Sequence, residues 1–106
     1  KMNAKASYIG MNNSTFTSAS GGISTTKMTA QDMVKMAVEA ASYPEICKVW
    51  NKKNYTISVG GTDPRDVSLV STVQNATLET SYYIFGGKTG SLSTSGQALV
   101  MVAGIK

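Results

Sequence analysis

The sequence predicts an α+β fold: an antiparallel sheet with helices packed on it. Apolar residues recur at helical spacing in the first half, then alternate with polar ones from residue 54 onward. Helices first and strands later is the α+β order. At 106 residues the chain forms one domain, 1–106, with one small core.

Residues 1–9 read as a short helix with Met2, Ala6 and Ile9 on one side and Gly10 as its stop. Residues 11–20 carry Asn, Ser and Thr around Phe16, an extended segment with one anchoring aromatic. Gly21-Gly22 then breaks the chain. The clearest helix spans 29–42. Thr29 and Asp32 have the spacing of a capping box, and Met33, Met36, Ala37, Ala40 and Ala41 follow at helical intervals. Lys35 and Glu39 stand four apart, an ion-pair spacing. Pro44 steers Tyr43 out of the helix and opens a second short one over 45–50, whose Ile46, Val49 and Trp50 would cover a core edge.

Four strands follow, over 54–59, 67–73, 82–89 and 98–105. Tyr55, Ile57 and Val59 alternate with Thr56 and Ser58 as a half-buried strand does. Gly-Gly and Asp-Pro mark the turn after it. Tyr82 and Tyr83 would face opposite ways. The run from Ala98 is apolar and β-branched, a buried strand. A short Gly/Ser turn before it predicts antiparallel pairing with the preceding strand.

Composition removes whole classes of chemistry. There is no His, which excludes a Ser-His-Asp triad and a His-ligated metal. Cys47 is the only cysteine, so no internal disulfide forms, and it reads as a small core residue. No cofactor is expected. The net charge of +4 is scattered, with only Lys52 and Lys53 adjacent, a poor footprint for nucleic acid. No apolar run approaches the roughly 20 residues of a membrane span. Ser and Thr supply 25 residues, a polar, uncharged composition that leans toward an exported protein. Asn12, Asn13, Asn54 and Asn75 each begin an N-x-Ser/Thr triplet, which such a composition produces by chance. Nothing near Lys1 reads as a signal peptide.

One tripeptide has the right parts for chemistry. Lys88-Thr89-Gly90 follows a β-prone run and a Gly-Gly pair. A lysine at a strand end offers a fixed ammonium, and the threonine hydroxyl beside it can donate to a carboxylate. A glycine at the third place lets a ligand lie against the strand. A second pattern, Ser24-Thr25-Thr26-Lys27, spells Ser-x-x-Lys, the spacing of a serine nucleophile and its lysine base. Thirteen Ser and nine Lys make such a match unremarkable.

The order of the segments resembles the serine D-alanyl-D-alanine carboxypeptidases, the low-molecular-mass penicillin-binding proteins. MNAKASYIGMNNSTFTSASGG is similar to that family's helix end, Gly-Met turn and Phe-containing segment. STTKMTAQDM is similar to the start of its next helix, and YPEICKVW to the short helix after that. VQNATLE resembles its Asn-x-Asn-x-Leu segment, with Thr77 where the second Asn stands. GGKTG matches its Lys-Thr-Gly strand and ALVMVAGI the strand after it. The family's motifs are Ser-x-x-Lys, Ser-x-Asn and Lys-Thr-Gly. The resemblance aligns only the last. It sets Ser24 where the family has no nucleophile, just 64 positions before Lys88.

The resemblance implies a partial, truncated catalytic domain acting on peptidoglycan stem peptides, or on their β-lactam mimics, outside the cytoplasmic membrane. Lys88 would bring charge and proton traffic to the substrate carboxylate. Thr89 would hydrogen-bond it, and Gly90 would permit close approach. The main-chain N–H of Ser91 would be one of two oxyanion-hole donors, worth roughly 3 kcal/mol at the transition state. The chain alone is expected to be inactive and to associate with itself, since an apolar strand stands at its end. The alternative is a non-catalytic peptide-binding or self-associating module on the same scaffold.

Overall fold

The computed structural model describes residues 1–23, 25–73 and 81–106. Three helices come first: α1, Met2–Tyr8; α2, Ala30–Ala41; and α3, Pro44–Trp50. Four strands follow: β1, Asn54–Val59; β2, Arg65–Val70; β3, Tyr82–Leu92; and β4, Gly96–Ile105. The fold is α+β with antiparallel pairing, as the sequence predicts. The four strands, however, form two two-stranded sheets, β1-β2 and β3-β4, rather than one. After β2 the Ser71 hydroxyl accepts the Val73 N–H at 3.2 Å.

Each helix end has a physical cause. Gly10, at φ 79°, closes α1. Its N–H donates to the Ser7 carbonyl at 3.1 Å, and that of Met11 to the Ala6 carbonyl at 2.9 Å, the paired bonds of a Schellman stop. Ala6 and Met11 are both buried. Thr29 caps α2 by accepting the Asp32 N–H at 3.2 Å. Tyr43 is extended before Pro44, which opens α3.

The Asp32 side chain does more than its capping position requires. It is fully buried. Its carboxylate accepts the Asn13 N–H at 2.9 Å, the Ser14 hydroxyl at 2.8 Å and the Lys35 ammonium at 3.1 Å. Lys35 also donates to the Gly10 carbonyl. One carboxylate thus joins the stop of α1, the loop beyond it and the first turn of α2. The expected Lys35–Glu39 pair is absent, because Lys35 turns inward to Asp32. Glu39 instead takes Lys5 of α1 and the Tyr43 hydroxyl.

α2 packs on β4, and α3 packs on β3 and on α2. Among the described residues the buried apolar side chains are Ala6, Met11 and Ala37. Several expectations of burial fail. Tyr55 and Ile57 are exposed, as are both Tyr82 and Tyr83. In the β1-β2 hairpin Tyr55 pairs across the strands with Leu69 and Ile57 with Val67, and the Lys52 ammonium lies 4.4 Å from the Tyr55 ring centre. Cys47 is half-buried, with its thiol on the Ala41 carbonyl. Met33 and Met36 are likewise only half-buried.

Burial pushes the Asp32 carboxyl up, but the hydrogen bonds from Ser14, Asn13 and Lys35 and the Lys35 charge outweigh it and hold the group below its ordinary range. Lys5 and Tyr43 lower Glu39 in the same sense. Carboxyls lowered by folding contribute stability that is complete above their unfolded values, about 4, and lost as pH falls through the folded ones. We therefore expect melting temperature to drop steeply below pH 4. Asp32→Asn, which keeps the shape but not the charge, should lower the melting temperature at pH 7 and flatten that acid slope. Circular dichroism melts between pH 2 and 7 check this; equal slopes for both proteins would contradict it.

Candidate active-site strand

Strand β3 reaches its place through two glycines. Pairing with β4 runs Ile84 to Ala103 and then Gly86 to Val102, so Phe85 is an extra, bulged residue. The extra residue shifts the alternation along β3 by one position, so that Lys88 shares a face with its partner Val100 and Thr89 with Leu99. Gly86 follows at φ 155°, a backbone that favours glycine. A β-carbon there would lie 2.7 Å from Trp50 Cγ. At Gly87 it would lie 2.6 Å from the Val100 carbonyl oxygen and 3.2 Å from Val73 Cγ1. The C-terminal end of α3 fits against the strand because Gly86 has no side chain, and β4 and Val73 fit against it because Gly87 has none.

Beyond the glycines the strand opens to solvent. Lys88 is exposed, and its ammonium folds back onto the Thr89 carbonyl. Thr89 is half-buried and hydrogen-bonds the Thr72 hydroxyl. A β-carbon on Gly90 would meet nothing within 4 Å, and Gly90 has no positive φ. Neither packing nor backbone strain therefore requires glycine there. Ser91 is exposed and pairs with Gln97. Gly96, at φ 75°, closes the tight turn into β4. A cleft of about 710 Å³ is lined by Thr72, Lys88, Thr89, Ser91, Gln97 and Leu99, among others.

The structure thus brings Lys88, Thr89, Gly90 and Ser91 to one cleft wall and adds Thr72, which the sequence reading missed. No local signal marks it, since it meets Thr89 across 17 positions. Ser24, Asn75 and Thr77 lie outside the described residues. Lys27, of the Ser-x-x-Lys pattern, makes a backbone bridge to Thr15. Among the described residues no three His, Cys, Asp or Glu side chains gather where a metal could sit. No helix among them is long and apolar enough to cross a membrane.

The model of the D-alanyl-D-alanine carboxypeptidase family matches residues 1–106. The chain belongs to this family of serine peptidases acting on the cell wall. No curated protein and no solved structure matches it.

The crowding at Gly86 gives a stability test. Gly86→Ala must overcome both the backbone strain and the Trp50 overlap, so it should cost roughly 2–4 kcal/mol. Urea unfolding monitored by Trp50 fluorescence checks it; a loss under 1 kcal/mol by that same estimate would show that α3 yields freely.

Proposed function

We propose that β3 holds the substrate-carboxylate half of a serine D-Ala-D-Ala carboxypeptidase site that acts on peptidoglycan stem peptides outside the cytoplasmic membrane. The observation that carries this reading is Gly90. Gly86 and Gly87 are accounted for by the atoms around them, whereas the space where a Gly90 side chain would stand is empty. A bare strand beside an ammonium and a hydroxyl suits an extended peptide ending in a carboxylate.

In this reading Lys88 leaves the Thr89 carbonyl and offers its charge to the carboxylate. Thr89 donates its hydroxyl to the same group. Gly90 allows the peptide backbone to lie against the strand, and the Ser91 N–H faces the oxyanion that forms at the scissile carbonyl. Attack on that carbonyl needs a serine and its lysine base, a role none of these four residues fills. The chain is one partial catalytic domain by this account, inactive until the nucleophile joins it.

Two substitutions in the full polypeptide test the reading. Gly90→Ala should leave the fold intact or stabilise it by about 0.4–1 kcal/mol, since the site is open and φ is ordinary. It should nonetheless reduce kcat/KM, because the methyl group occupies the peptide's place. Thr89→Val keeps the strand's β-branched shape and removes one hydrogen bond to a charged group, worth about 1.5–3 kcal/mol, or roughly 10- to 150-fold in kcat/KM. Turnover of peptides with a free and an amidated C-terminus distinguishes the roles. If Thr89→Val slows both equally, the carboxylate reading fails.

The second reading, a self-associating module, rests on exposed surface. The chain presents 7969 Å² to solvent, against about 5,700 Å² for a folded monomer of its mass. Val34, Val38, Phe85 and Leu99 are among the exposed apolar side chains, and among the described residues each sheet has two strands. Residues 1–106 by themselves should sediment as a concentration-dependent mixture. A single compact monomer at high concentration would count against it.

A further inference from the structure

Resting on the carboxylate reading of Thr89, we infer that Thr72 is a positioning residue whose hydroxyl donates to Thr89 Oγ1 and so leaves the Thr89 proton for the substrate carboxylate. The two hydroxyls are hydrogen-bonded, and either geometry of the shared proton is open to them. A hydroxyl has one proton and two lone pairs. An ionised carboxylate only accepts, so Thr89 must spend its single proton on the ligand. The bond between the threonines must then be donated by Thr72. With the proton the other way round, Thr89 would turn a lone pair toward the carboxylate and repel it. A chain of hydroxyls all donating in one direction also strengthens each link.

Thr72 is built into this position. The Ser71 N–H donates to the Lys53 carbonyl at 2.8 Å, which extends the β1-β2 ladder by one step beyond Asn54 and Val70. The Ser71 hydroxyl then receives the Val73 N–H, which fixes the turn on the other side of Thr72. Among the described residues lining the Lys88–Ser91 cleft, Thr72 alone comes from outside β3 and β4. Thr72 thus links the end of the β1-β2 sheet to Thr89.

The test uses the full polypeptide and measures its acylation by a penicillin with a free carboxylate and by that penicillin's methyl ester. Thr72→Val should slow the free-carboxylate reaction about 3- to 10-fold, the range for one neutral hydrogen bond, and leave the ester reaction unchanged. Thr72→Ser should restore the rate, because it returns the hydroxyl. In a Thr89→Val background, Thr72→Val should add nothing, since its effect passes through Thr89. Equal slowing of both compounds, failure of the serine variant to rescue, or additive losses would each overturn the relay while leaving the carboxylate reading intact. If Thr89→Val itself shows no preference between the compounds, that reading falls and the relay falls with it. Melting temperatures separate misfolding from these effects, and Thr72→Ser against Thr72→Ala supplies the comparison if the valine variant does not fold.

Discussion

The indole of Trp50 stands where a β-carbon on Gly86 would have to be. That close approach fixes how α3 meets β3, two residues before Lys88. The bulge at Phe85 sets the facing of the strand, Gly86 turns it under the helix, and Gly87 lets it lie against Val73 and the Val100 carbonyl. Lys88 and Thr89 are the first residues past this confined stretch. A strand held so tightly on one side presents its next few groups with little freedom, which is what recognition of a small charged end group needs.

The helical half is held by different physics. Its anchor is a charge with no exposure to water, made tolerable by the Asn13 N–H, the Ser14 hydroxyl and the Lys35 ammonium. A buried carboxylate is unfavourable unless its acceptor sites are filled, so Asp32 selects the one arrangement of α1, the Asn13–Ser14 loop and α2 that fills them. Such a node is specific rather than merely cohesive. It also explains how a domain with so few buried apolar side chains keeps its helices in register. The two halves of the molecule meet where α2 packs on β4 and where α3 packs on β3.

What was legible in the sequence follows the range of the interaction. The stop at Gly10, the cap at Thr29 and the break at Pro44 are local, and residue type alone announces them. The antiparallel pairing of β3 and β4 is nearly as local, because a short turn forces it. The Lys-Thr-Gly run was visible as a chemical pattern. Asp32 was legible only as a cap, because its buried bonds run to Asn13 and Ser14, 19 and 18 positions away. Thr72 carried no signal at all. The burial of β1 was misread for a related reason: alternation shows which side of a strand is apolar, not whether any layer covers it.

Family membership and geometry bear on different parts of the account. The family match covers the whole chain and sets the class of chemistry. The empty space at Gly90 and the hydroxyl pair at Thr89 bear on where the ligand's carboxylate sits. The most direct measurement is a crystal structure of the full polypeptide acylated by a penicillin that retains its carboxylate. The account predicts that carboxylate about 2.7 Å from Thr89 Oγ1, with Lys88 turned off the Thr89 carbonyl and the ligand backbone against Gly90. A carboxylate bound elsewhere, with Thr89 and Thr72 still bonded only to each other, would contradict it.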